Sequence, residues 1–284
     1  MFRRQRTGAV ICSSCGKLVG AQDAECFHCG KKNPGMWGFA PAFRKLGQDL
    51  SFTSLVIWGC AALYLATLLV DIPGIRMSGM SMLAPSMRSL FMFGASGALP
   101  VFGYGRWWTV LSAGWLHGGI LHIAFNMLWV RQLAPAAAEL YGIPRTAIIY
   151  TVSCAAGFAL SSSAALFFGS IPIPLLHGAQ FTIGASAPIF GLLGALVLYG
   201  RRGGSSHVSS QALGYAVIMF VFGLVMPGID NFAHLGGFLG GYGMALALDP
   251  FKPEKVSHLF AALALLGITG LSVLVSLLHG FSFR

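Results

Sequence analysis

The sequence predicts an all-α polytopic membrane protein with a small metal-stapled module at its N-terminus. Three observations lead there. Only 9% of the 284 residues are charged, against about 25% in an ordinary soluble domain. After residue 50, apolar stretches recur seven times, several of them near the ~20 residues that cross about 30 Å of hydrocarbon. Four of the six cysteines stand as two Cys-x-x-Cys pairs ahead of the first apolar stretch.

The head module occupies residues 1–35. Cys12-x2-Cys15-x10-Cys26-x2-Cys29 has the spacing of a four-cysteine zinc ribbon, and Gly16 and Gly30 follow the pairs directly, where each knuckle must turn. A module this small folds only when thiolates close on a metal, so structural zinc is the expected cofactor and none is expected for catalysis. Metal-site spacing also points to a reducing compartment rather than a disulfide framework. His28 lies inside the second knuckle and is not counted as a ligand. Cys60 and Cys154 fall in apolar runs and read as small buried hydrophobes. The module serves either as a stapled cap or as a dock for a cytoplasmic protein partner. Nothing in it resembles a base-reading surface, and no nucleic acid is expected. No apolar core segment stands in the first fifty residues, so no secretory leader is expected.

Residues 36–50, rich in Gly, Pro and aromatics, read as a linker. Spans are expected near 51–70, 113–133, 144–169, 185–200, 211–227, 232–248 and 256–279, giving a membrane core over 51–250 and an additional C-terminal transmembrane helix within 251–284. The 38 glycines suit helices that pack closely through small residues. The net charge of +10 is explained by topology. Arg3, Arg4, Arg6, Lys17, Lys31, Lys32, Arg44 and Lys45 precede the first span, and the alternate loops carry Arg131, Arg145, Arg201, Arg202, Lys252 and Lys255. Only Arg76, Arg88, Arg106 and Arg284 fall on the other side. This asymmetry places the N-terminus in the cytoplasm and the C-terminus outside, with a bacterial inner membrane as the expected location. The first connection, 71–112, is rich in Met and Phe and carries Trp107 and Trp108. It is too apolar for free solution and too broken for a span, so it is expected in the outer interface with the tryptophans as anchors.

Polar groups inside apolar spans are costly and mark function. The eight acidic residues all sit in tails, loops or span ends, which argues against a transporter or channel. What remains inside is His, Asn and Ser. His117, His122 and Asn126 lie at the second span, with His122 and Asn126 one turn apart on one face. His234 lies in the sixth span, followed by Gly237 and Gly241, which leave that side bare for a neighbouring helix. Ser186 opens the fourth span, where Pro188 suits the first turn and the serine could act as an N-cap. Gly184 and Ala185 leave room beside it for a substrate backbone, and Gly191 and Gly194 face the glycines of span six. Both spans start outside, so their packing brings Ser186 to His234. A serine hydroxyl becomes a nucleophile when a histidine takes its proton. The oxyanion formed then needs fixed donors, which His122, Asn126 and the Ser186 amide can provide. Asp230 reads as a helix-start residue, so the set is a dyad.

These residues resemble the rhomboid family of intramembrane serine proteases. The resemblance covers about 107–248 and rests on H-x4-H-x3-N at His117, His122 and Asn126, on G-x-S at Gly184 to Ser186, and on A-H-x2-G-x3-G from Ala233 to Gly241. It implies a six-helix core, here with a seventh span, and a Ser186–His234 dyad with an oxyanion site at His122 and Asn126. It also implies that Phe190 stacks on the catalytic histidine, and that the partners are membrane-protein substrates cleaved in a transmembrane helix near its outer end. Two departures stand out. Ala187-Pro188 follows the serine where Gly is common, and Trp108-Thr109 replaces a common Trp-Arg pair, with Arg106 close by. The alternative function is a catalytically silent relative that binds or routes membrane-protein clients. Such relatives usually lose the Ser or His, and both are present here.

Overall fold

The computed structural model describes residues 4–77, 79–169 and 177–282; Arg3 and Arg284 of the charge count lie outside them. The chain is mostly helical, with a small β-structured head. In the head, β1 (Ala9–Ile11) pairs antiparallel with β2 (Leu18–Gly20), and the turn between them carries Cys12 and Cys15. A second, shorter bridge between Glu25 and Lys32 closes around Cys26 and Cys29. Gly16 and Gly30 take φ of +76° and +69°, the left-handed geometry the knuckle turns demand.

Ten helices follow among the described residues: α1 (Ala40–Asp49), α2 (Phe52–Val70), α3 (Met87–Phe93), α4 (Thr109–Ser112), α5 (Ile120–Tyr141), α6 (Ile143–Phe168), α7 (Ser186–Arg202), α8 (Ser206–Val225), α9 (Asn231–Ala247) and α10 (Val256–Ser282). Four of them, α2, α6, α8 and α10, are long and apolar enough to cross a membrane, and the protein is an integral membrane protein. Helices α7 and α9 have 17 residues each, about 25 Å at 1.5 Å per residue.

Three boundaries differ from the sequence expectation. The stretch read as a linker contains α1, with Pro41 in the first turn where its missing N–H costs nothing. The second apolar stretch does not become a helix until Ile120, because its first residues, Ala113–Trp115, form a separate 3-10 turn ahead of Gly118-Gly119. Helix α8 begins at Ser206, ahead of its apolar run, because Ser205 caps it through a bond from the Val208 amide.

The first connection is a built structure rather than a loose loop. Ser86 caps α3 by accepting from the Ser89 amide at 3.1 Å. Arg106, counted in sequence among the loop charges of one side, is fully buried. Its guanidinium lies 4.1 Å from the Phe91 ring centroid and donates to Phe91 O at 2.6 Å and to Ser276 O of α10 at 2.9 Å. Burial lowers its pKa to about 10, which leaves it charged near neutral pH. Trp108 Nε1 donates to Ser276 Oγ at 3.0 Å, whereas Trp107 is 70% exposed. The far end of α10 therefore clamps the connection that leads to the site.

The near end of α10 is tied to the head. Arg44 of α1 donates to Cys12 O at 2.6 Å and to Glu254 O at 3.1 Å, and the Val256 amide donates to Ser13 O at 3.0 Å. Glu254 also meets Arg145 at 3.6 Å.

At the centre, α7 is buried over almost its whole length and packs most extensively on α9. Glycines set that approach. A Cβ on Gly237 would run into Ala187 O, one on Gly241 into Gly191 O, and one on Gly194 into Phe238 O. On the other flank, a Cβ on Gly191 would strike Ser153 Oγ of α6. Backbone therefore lies against backbone, as small-residue stripes allow in lipid. Gly241→Val is expected to destabilise the fold by about 2–4 kcal/mol through overpacking. Thermal unfolding in detergent measures it, with Gly243→Val as the control, since a Cβ there meets nothing within 4 Å.

Candidate active site

The segment entering α7 is held by the first connection. Ser96 and Thr182 exchange two backbone hydrogen bonds at 3.0 and 2.8 Å, and Ala98 and Leu99 donate to Ala179 O and Gln180 O. The Gly184 amide donates to Ala113 O at 2.9 Å. Gly184 has φ +131°, and a Cβ there would sit 2.8 Å from His122 Nε2. Both the conformation and the space require glycine.

Helix α7 then begins at Ser186. Its N-cap is Ala185, which makes no side-chain capping bond. The Ser186 hydroxyl is not spent as a cap; Oγ lies 2.9 Å from His234 Nε2. His234 is buried, and the Phe190 ring stacks on its imidazole with centroids 4.2 Å apart and planes 11° from parallel. Gly237, one turn on from His234, lies against Ala187 O, so the helix contact and the Ser–His contact are parts of one surface.

Asp230 caps α9. One carboxylate oxygen accepts the Ala233 amide at 3.0 Å, and the other accepts the Ser161 hydroxyl at 2.6 Å. Ser161 in turn accepts the Ala179 amide at 3.0 Å. A residue that sequence reasoning did not single out, Asn231, places its Oδ1 3.1 Å from His234 Nδ1. The signal was available: Asn231 precedes His234 by three residues, on the same helical face.

His122, in the first turn of α5, lies beside this pair, since a Cβ on Gly184 would meet both its ring and Ser186 Oγ; His117 and Asn126 flank His122. His122 Nδ1 accepts the Gly118 amide at 3.2 Å, so a neutral ring carries its proton on Nε2, the nitrogen that faces Gly184. Asn126 Nδ2 donates to the His122 backbone carbonyl at 2.8 Å. One of the two Asn126 amide hydrogens is thus used within the helix. His117 is fully buried, its ring edge-on to His122 at 5.2 Å.

A second cluster lies in the head. The Sγ atoms of Cys12, Cys15, Cys26 and Cys29 all fall within 4.8 Å of one another, with Cys12–Cys29 at 3.9 Å and Cys15–Cys26 at 3.8 Å. A zinc tetrahedron with 2.3 Å arms has sulfur–sulfur edges of about 3.8 Å. The donor set fits a metal ion.

Comparison with known proteins gives one consistent result. A rhomboid-domain profile matches residues 104–251, just over half of the chain. The chain is 32% identical over 175 residues to RHOMBOID-like protein 4 of Arabidopsis thaliana, covering 60% of this chain and 41% of that one. It is 34% identical over 147 residues to Rhomboid protease GluP of Bacillus subtilis, covering 51% of this chain and 26% of that one. Rhomboid-type serine protease 2 of Emericella nidulans is 32% identical over 149 residues, covering 50% and 27%. The match therefore spans less than half the length of each of these three relatives.

Gly184→Ala is expected to cost about 1–3 kcal/mol, from the positive φ and from the Cβ pressed on His122. Thermal unfolding of the purified variant measures it, and an unchanged midpoint would mean that the turn tolerates a side chain.

Proposed function

The chain belongs to the rhomboid family, and on that premise we propose that it is an intramembrane serine endopeptidase that cleaves transmembrane segments of other membrane proteins. The single observation that carries the reading is the 2.9 Å contact between Ser186 Oγ and His234 Nε2. The similarity to proteins named as rhomboid proteases supports it.

In the first step Ser186 Oγ attacks the scissile carbonyl carbon while its proton passes to His234 Nε2. The carbonyl oxygen takes the negative charge, facing His122 Nε2–H, the Ser186 amide and the remaining Asn126 amide hydrogen. One such donor contributes about 3–4 kcal/mol in other hydrolases. The imidazolium then gives its proton to the leaving nitrogen as the C–N bond breaks, leaving an acyl-serine. Water, deprotonated by the same nitrogen, releases the acid and restores the hydroxyl. Phe190 keeps the ring in plane throughout.

The shortness of α7 adds a reason for the site's location. A helix of about 25 Å falls short of ~30 Å of hydrocarbon, so a residue at its start lies below the membrane surface. With the N-terminus in the cytoplasm, Ser186 opens toward the outer side, where a substrate helix ends. Residues 51–250 form the six-helix catalytic core, and 251–284 carry the seventh helix. The head, 1–35, holds structural zinc on Cys12, Cys15, Cys26 and Cys29, which staples a module with little apolar core of its own. Bound zinc supplies folding energy there and takes no part in the reaction, and the head offers a surface to a cytoplasmic partner.

With a single-span substrate in liposomes, Ser186→Ala and His234→Ala are each expected to slow cleavage by at least about a thousandfold. Equal cleavage by all three proteins, or none by wild type, would refute the protease reading. Elemental analysis of the purified chain should return one zinc, lost in Cys12→Ser and Cys26→Ser; full retention in both would reject the four-thiolate site.

A further inference from the structure

We infer that Asn231 is a positioning residue for His234: its side-chain carbonyl accepts the Nδ1 proton and so presents Nε2 to Ser186 as the base. The inference rests on the protease reading. For Nε2 to accept the serine proton, the neutral ring must carry its own proton on Nδ1, and a ring free to change tautomer would lose that arrangement part of the time. Asn231 Oδ1, 3.1 Å from Nδ1, accepts a proton there and has none to give.

The surroundings hold the amide in that place. Asn231 is the first residue of α9, so its backbone is fixed by the same cap that starts the helix. On its far side, a Cβ added to Gly223 of α8 would run into Asn231 Oδ1 and into the Ile229 side chain. Glycine at 223 therefore leaves the amide the space it occupies. Asp230, the carboxylate nearest in sequence, is engaged by the Ala233 amide and by Ser161 of α6. From the other helices, His234 faces Ser186 and Phe190 of α7, and His122 of α5 is an ionisable neighbour. Asn231 is the partner at Nδ1, which makes the arrangement Ser–His–Asn rather than a bare dyad.

The test is the pH profile of kcat and KM for cleavage of the single-span substrate by wild type, Asn231→Ala and Asn231→Asp. Asn231→Ala removes the acceptor and should lower kcat roughly ten- to hundredfold, less than loss of a charged orienting group, with KM within about twofold of wild type. Asn231→Asp keeps the acceptor and adds a charge beside the imidazolium, so the acid limb of kcat should rise by about one pH unit. Wild-type kcat in Asn231→Ala would overturn the inference while leaving the protease reading intact. An unmoved acid limb in Asn231→Asp, with activity falling only in step with the thermal midpoint, would do the same by reducing Asn231 to a structural role. Absence of cleavage by wild type would overturn both.

Discussion

The close approach of α7 and α9 is the constraint on which the rest of the molecule depends. Two helix backbones meet where Gly237 faces Ala187 O and Gly241 faces Gly191 O. No side chain larger than hydrogen fits at those points. The contact sets the distance between the helices, and that distance sets the gap between Ser186 and His234 near the same end. Hydrophobic burial cannot supply this specificity inside a bilayer, since lipid is as apolar as leucine. Shape must supply it. A rigid packed surface is also what a proton transfer over 2.9 Å requires, because a shift of one ångström would break the contact.

The remaining elements hold the site from outside. The first connection pairs with the segment ahead of α7, and its buried Arg106 and its Trp108 are bonded to Ser276 at the far end of α10. The near end of α10 meets the head, where Arg44 reaches the carbonyls of Cys12 and Glu254. One long helix thus links the cysteine cluster to the loop that shapes the mouth of the site. A buried cation such as Arg106 is tolerable because two backbone carbonyls accept from its terminal nitrogens and the Phe91 ring lies against the guanidinium.

Much of this was legible in the sequence, and the residues explain why. Apolar length marked the helices, and the i, i+3 and i+4 spacings of glycine marked the faces that meet. Ser186 and His234 could be paired because both stand near the starts of helices carrying those glycines. The cysteine spacing drew attention to four residues whose sulfurs gather in space. Other features left weaker traces. Arg106 looks like a loop charge because sequence gives no measure of burial, and its partners lie far along the chain. Residues 36–50 look like a linker because Gly, Pro and aromatic residues mix there, although Pro41 suits a first helical turn. Asn231 was not singled out, although its spacing of three residues from His234 puts the two on one helical face. Asn126 spends one amide hydrogen on the carbonyl of His122 in its own helix, a bond that sequence does not reveal.

The most direct measurement is the mapping of a serine-directed phosphonate by peptide mass spectrometry on the intact protein in detergent. The account predicts a single adduct, on Ser186, formed by wild type and absent when His234 is replaced by alanine. An adduct on another residue, or labelling of Ser186 that is indifferent to His234, would contradict it.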